Sequence, residues 1–211
     1  MAAAFRLGQL LKGQKGSYTL GKQFQDSVWL AITINNKQVI IKSMRHFQLE
    51  NKQDVLKQFQ DQTSYIQSLL DEIVNPPDSS VIVLRHLADH LLNASTAQKL
   101  TIQEVKYNAR SIVESLKLLH DKKFVHTDNN LLLNYPDNVL VNYRSGDIHF
   151  TDIQLADMGS TISAESAYIK NMHWYMWNAY KLLTLIYGDS FFIFKPNVLF
   201  GHEDYELQVL V

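Results

Sequence analysis

Phe124-Val-His126-Thr-Asp128 is the stretch on which the reading of this chain turns. Two short motifs follow it, Pro136-Asp-Asn138-Val-Leu-Val141 and Asp157-Met-Gly159. One precedes it: Val39-Ile-Ile-Lys42, an apolar run closed by a lysine. Taken singly, each is ordinary. A lysine at a strand end is commonly a solvated charge, and Asp-x-Gly is commonly a turn. The information lies in their order and in the kind of element each one ends or begins.

The segment before Phe124 is a helix with a readable start. Thr101-Ile-Gln-Glu104 is a capping box, with threonine and glutamate three residues apart. Ile102, Val105, Ala109, Ile112, Leu116 and Leu119 then keep helical spacing up to His120. Beyond Phe124, short strands are expected over 139–141 and 148–150, around the turn signal Arg144-Ser-Gly-Asp147. Residues 174–187 are apolar nearly all round and read as a helix buried on most sides.

The first half has another texture. Strands are expected over 18–24 and 28–34, and a third over 39–42 after the turn signal Asn35-Asn-Lys37. Residues 52–70 read as a helix, with Val55, Leu56, Phe59, Ile66 and Leu69 at three- and four-residue spacing. Pro76 and Pro77 stop it or its exit loop, and 81–84 is a short buried strand. The expected fold is therefore α+β: a small β-rich lobe and a mainly helical one. The expected boundaries are a basic tail at 1–17, the first lobe at 18–88 and the second at 89–211.

This constellation resembles a eukaryotic-type Ser/Thr protein kinase. Lys42 matches the lysine of V-A-I-K, His126 and Asp128 match H-R-D, Asn138 ends the catalytic loop, and Asp157 and Gly159 match D-F-G. His126-Thr-Asp128, Pro136-Asp-Asn-Val-Leu-Val-Asn142 and Gln154-Leu-Ala-Asp157 are similar to kinases of filamentous fungi. The resemblance implies a two-lobe fold and transfer of phosphate from magnesium ATP to Ser/Thr of a protein substrate. By that resemblance Lys42 pairs with the α- and β-phosphates and with an acid on the first large helix. Asp54 is the first candidate for that acid and Glu50 the alternative. Asp128 orients the acceptor hydroxyl, and Asn138 and Asp157 hold magnesium. Adenine lies against Leu84 and Leu87, with backbone groups of Arg85 and Leu87 as its partners.

The departures are as specific as the matches. Asn138 follows Asp128 by ten residues where the family motif has five, with Asn129-Asn-Leu-Leu-Leu-Asn-Tyr135 in between. Gln25-Asp-Ser27, between the first two expected strands, contains no glycine, so no glycine-rich loop is available to cover phosphates. No Ala-Pro-Glu tripeptide follows Asp157, and the helices that usually follow in a kinase second lobe are missing before Val211, so that lobe reads as incomplete. An alternative reading follows: a catalytically inactive, pseudokinase-like binding module, or a degenerate kinase fragment.

Composition sets the outer limits. The chain has 211 residues, 46% hydrophobic, with 20 basic and 21 acidic residues. A formal charge of −1 gives no field for nucleic acid or an acidic membrane. With no cysteine, disulfides, thiolate metal sites and thiol catalysis are excluded. No apolar run reaches the roughly 18 residues that a spanning helix needs. The expected setting is intracellular, cytoplasmic or nuclear, with a protein substrate or partner. His86 and His90, four apart, have the spacing for a metal on one helical face, but nothing nearby supplies further ligands.

Overall fold

The computed structural model describes residues 5–43, 46–77, 81–126, 136–146 and 148–166. The expected helix over 174–187 lies outside them, as does Asp128. Six antiparallel strands open the fold: β1 (Leu10–Gly13), β2 (Ser17–Gln25), β3 (Val28–Thr33), β4 (Gln38–Ser43), β5 (Leu69–Asn75) and β6 (Val81–Arg85). They close into a barrel in the order β1-β2-β3-β4-β6-β5. Between β4 and β5 stands α1 (His46–Phe59).

Alternation along the strands builds two cores at once. Leu11, Tyr18, Leu20, Trp29, Ala31, Val39, Ile41, Ile73, Val81 and Val83 fill the barrel. The opposite face of β6, Ile82 and Leu84, belongs to a second core with Val55, Leu56 and Phe59 of α1. A strand buried on both faces needs apolar residues at every position, which explains the unbroken Val81-Ile-Val-Leu84 run. On β4, Val39 and Ile41 point into the barrel, so Ile40 and Lys42 share the outer face.

The second part begins with β7 (Asp89–His90) and α2 (Leu91–Ala97). Then come α3 (Ile102–Asp121), β8 (Phe124–His126), β9 (Val139–Tyr143), β10 (Phe150–Leu155) and β11 (Thr161–Ser163). The Thr101 hydroxyl accepts from the Glu104 N–H, and the Glu104 carboxylate accepts from the Thr101 N–H at 2.8 Å, the expected capping box. Leu116 and Leu119 of α3, Val139 and Val141 of β9 and Ile153 and Leu155 of β10 complete the second core. That core joins the barrel's outer face to the helical part. Among the described residues no helix is long and apolar enough to cross a membrane.

Three expectations change. The helix expected over 52–70 stops at Phe59, and Leu69–Asn75 is strand β5, the partner of β6 and β1. Residues 10–13, expected as tail, form β1, and buried Leu11 helps fill the barrel. The strand expected over 148–150 begins at Phe150, which pairs with Tyr143, and runs to Leu155.

Candidate functional site

Lys42 leaves the outer face of β4 toward the residues that follow β10. Its Nζ lies 2.9 Å from Asp157 Oδ1. Asp157 is held in a left-handed backbone conformation (φ 57°, ψ 50°), uncommon for residues with a side chain but more accessible to aspartate than to most. The next residue, Met158, is fully buried in the second core, so it anchors the turn that aims Asp157 outward. From α1, the Asn51 side-chain amide donates to the carbonyls of Gly159 (3.0 Å) and Thr161 (2.8 Å) and fixes the strand leaving the site. His126 is buried at the end of β8, its Nε2 3.0 Å from the Ala156 carbonyl.

Asn138 reaches the same place from the other strand of the hairpin. Leu155 pairs with Val139, and the Ala156 N–H donates to the Asn138 carbonyl at 2.8 Å. The expected pair Asn138 and Asp157 thus emerges from one end of the β9–β10 hairpin.

The acid on α1 is where the expectation fails. Asp54 is exposed and forms no ion pair among the described residues. Lys52 faces the site instead, with its side chain 1% exposed and its Nζ 3.5 Å from Asp157 Oδ1. Two positions along a helix turn a side chain by about 200°, so Asp54 and Lys52 point in nearly opposite directions. Lys52 shares the buried face of Val55, Leu56 and Phe59, at three-, four- and seven-residue spacing. That spacing was a readable signal, hidden because a lysine is not scored as a core residue. Glu50, the alternative, has no described side chain.

The electrostatics follow from this. Burial, and then the charge of Lys42, push the Lys52 ammonium down to about 7, against the pull of Asp157. Burial alone would raise the Asp157 carboxyl, but the two lysines bring it down to about 2. A polyanion arriving beside Lys52 favours its charged form.

A magnesium ion at Asp157 would compete with two ammoniums for the same carboxylate. Oδ1 already faces both ammoniums, at 2.9 and 3.5 Å. A magnesium on that oxygen at its usual ~2.1 Å would lie within about 6 Å of the Lys52 nitrogen. At an effective dielectric near 20, that repulsion is roughly 5 kcal/mol with Lys52 protonated, about a third of the ion's attraction to the Asp157 oxygen. Asp157 is thus a weakened magnesium ligand, and Asn138 keeps its expected place beside it on the hairpin. No group of three metal-ligating side chains occurs among the described residues, and His90 instead caps α2, its Nδ1 accepting from the Asn93 N–H.

Away from the lysines, Leu84 is buried on β6 and Leu87 just beyond it. The Arg85 N–H is taken by the Ser68 carbonyl, and its own carbonyl accepts from Gln67 Nε2 at 3.2 Å. Of the two expected backbone partners at Arg85, only a second lone pair on the carbonyl is left. The Leu87 N–H has no partner among the described residues. The Arg85 guanidinium pairs with Asp152 of β10 at 2.9 Å and ties the barrel to the hairpin. The β2–β3 connection is a two-residue turn, Asp26 and Ser27, with Gln25 paired to Val28. The glycines 13 and 16 lie instead around the β1–β2 turn, where the Gly13 N–H bonds the Gly16 carbonyl at 2.7 Å.

The barrel with its single large helix, the connecting segment and the Lys42–Asp157 pair define a protein-kinase-like fold. Solved kinase structures share it. The yeast RNA Pol II CTD kinase CTDK-1 complex matches at a TM-score of 0.58 and 16% identity, over 71% of this chain and 47% of that one. Vaccinia related kinase 3 matches at 0.57 and 17% identity, over 79% and 55%. The chain spans about half the length of these structures. Neither a family model nor a curated protein matches the sequence.

Proposed function

We propose that the chain is a protein-kinase-like domain that binds a nucleoside triphosphate of the ATP class between the barrel and the β9–β10 hairpin. In this reading it acts as a nucleotide-dependent binding module for a protein partner rather than as an efficient phosphoryl-transfer enzyme. The observation that carries it is the cluster of Lys42, Asp157 and Lys52. Lys42 reaches Asp157 at 2.9 Å, which aims its ammonium at the place the resemblance assigns to phosphates, while the buried residue facing them from α1 is a cation. In active kinases the corresponding helix supplies a glutamate that positions the β-strand lysine. Among the described side chains of α1 no acid meets Lys42, and a displacement of about 1 Å at a phosphoryl-transfer site can reduce the rate roughly a hundredfold. Lys42 meets the phosphates, Leu84 and Leu87 flank the base, and the Leu87 N–H is the donor available to it.

A second reading, an active Ser/Thr kinase using Asp128 on a protein substrate, is favoured by the Lys42–Asp157 pair and by Asn138 beside it. One experiment separates the two. Thermal melts of the chain with saturating ATP are expected to show stabilisation, about 2.7 kcal/mol at a hundred times Kd. Lys42→Ala should abolish it, and labelled ATP should give no transfer to a generic acceptor above the Asp157→Ala background. Transfer well above that background supports the enzyme. Equal melting with and without nucleotide removes both readings.

A further inference from the structure

We propose that Lys52 stands in for the divalent cation at this cleft, so that the chain binds the polyphosphate of a nucleotide without a metal ion. This rests on the nucleotide-binding reading above.

The argument begins with charge. A kinase cleft of this design holds a strand lysine, a helix glutamate and the aspartate of D-F-G, which together carry one net negative charge. Among the described side chains the cluster here holds two lysines and one aspartate, a net positive charge with both lysines protonated. The difference is two positive charges, the charge of the ion that such a cleft otherwise recruits. Among the described side chains, Asp157 is the only carboxylate within ion-pair reach of either lysine.

Geometry points the same way. Both ammoniums converge on one oxygen, Asp157 Oδ1, from β4 and from α1. Lys52 is fixed there, since its stem is buried on the same helix face as Val55, Leu56 and Phe59. A lysine this buried, with a half-shared carboxylate as its ion-pair partner, is poorly satisfied without an anion. The Asp157 side chain is 45% exposed, so the cluster reaches solvent at this residue. The two-residue β2–β3 turn supplies no glycine backbone to wrap phosphates, which leaves the lysines as the main anion ligands.

The test is direct binding of a fluorescent ATP analogue to the full chain, once in EDTA and once in excess magnesium. The wild type is expected to bind in both with dissociation constants within about threefold of each other. Lys52→Glu should require the metal, binding at least about tenfold more weakly in EDTA than in magnesium. Lys52→Met, of similar length and without charge, should lose about tenfold or more in EDTA relative to wild type. Circular dichroism checks that both variants fold, and the wild-type comparison needs neither of them. A wild type that loses tenfold or more in EDTA overturns metal independence but leaves nucleotide binding standing. Variants that bind in EDTA like the wild type overturn the role of Lys52. No binding in either medium overturns this inference together with the reading it rests on.

Discussion

Replacing Lys52 by methionine should make the chain more stable. The side chain is 1% exposed, and the fold lowers its ammonium from 10.5 to about 7, foremost by burial. At 1.36 kcal/mol per unit that shift is worth about 5 kcal/mol of penalty on the charged form. The sign follows from proton counting. Between about 7 and 10.5 the unfolded chain binds a proton that the folded chain has released, so wild-type stability rises with pH across that window. Below 7 the full penalty is carried. Methionine removes it, matches the unbranched stem and leaves Asp157 paired with Lys42 at 2.9 Å. Allowing for local relaxation, the expected gain at pH 7 is about 2–4 kcal/mol, or roughly 5–15 °C in Tm. Urea unfolding of both proteins at pH 7 and pH 10 measures it. The gap should be large at pH 7 and shrink toward pH 10. A variant less stable than wild type at pH 7, or a gap that does not change with pH, would refute the placement of Lys52. The same substitution should weaken nucleotide binding, so stability and binding move in opposite directions, as expected where a strained group is kept for function.

Two further substitutions probe the frame around the site. A Cβ on Gly13 would sit 2.2 Å from Asp71 Oδ2 and 2.9 Å from the Tyr18 ring, so Gly13→Ala should open the β1–β5 seam. The expected loss is about 1–3 kcal/mol by urea unfolding, with protease sensitivity appearing near the N-terminus. Buried Glu104 accepts from Thr101 N–H and Oγ1 and from His149 N–H, and its carboxylate also meets the His149 ring. Glu104→Ala orphans these donors and should destabilise by about 2–4 kcal/mol. Burial opposes ionisation there, but those hydrogen bonds hold the Glu104 carboxyl below its ordinary value, so its contribution is present at neutral pH and lost on acidification through the folded value. The wild-type–variant difference should therefore narrow in acid.

Much of the frame was legible because local pattern and tertiary role coincide. The alternation at Val39, Ile41 and Lys42, the two-faced strand at Val81–Arg85 and the Thr101–Glu104 capping box each state their environment in a few residues. What was missed depends on partners far away in sequence. Leu69 continues the helical spacing of Val55, Leu56, Phe59 and Ile66, and only pairing with β6 and β1 makes it strand. β1 is four residues long and has meaning only as the strand that closes the barrel. At the site, Lys42 and Asp157 were found from the family pattern, and their contact is 115 residues apart in sequence. Counting back from Tyr65 to an acidic residue points to Asp54. Helix phase decides instead, and it turns Lys52 inward and Asp54 outward.

The most direct measurement is chemical mapping of the cleft with an acyl-phosphate of ATP, which transfers its acyl group to an amine lying at the phosphates and releases ATP. Peptide mass spectrometry of the labelled full chain should find Lys42 and Lys52 acylated, both protected by excess ATP. Labelling of other lysines alone, or labelling of these two that ATP does not reduce, would contradict a nucleotide phosphate site built on this pair.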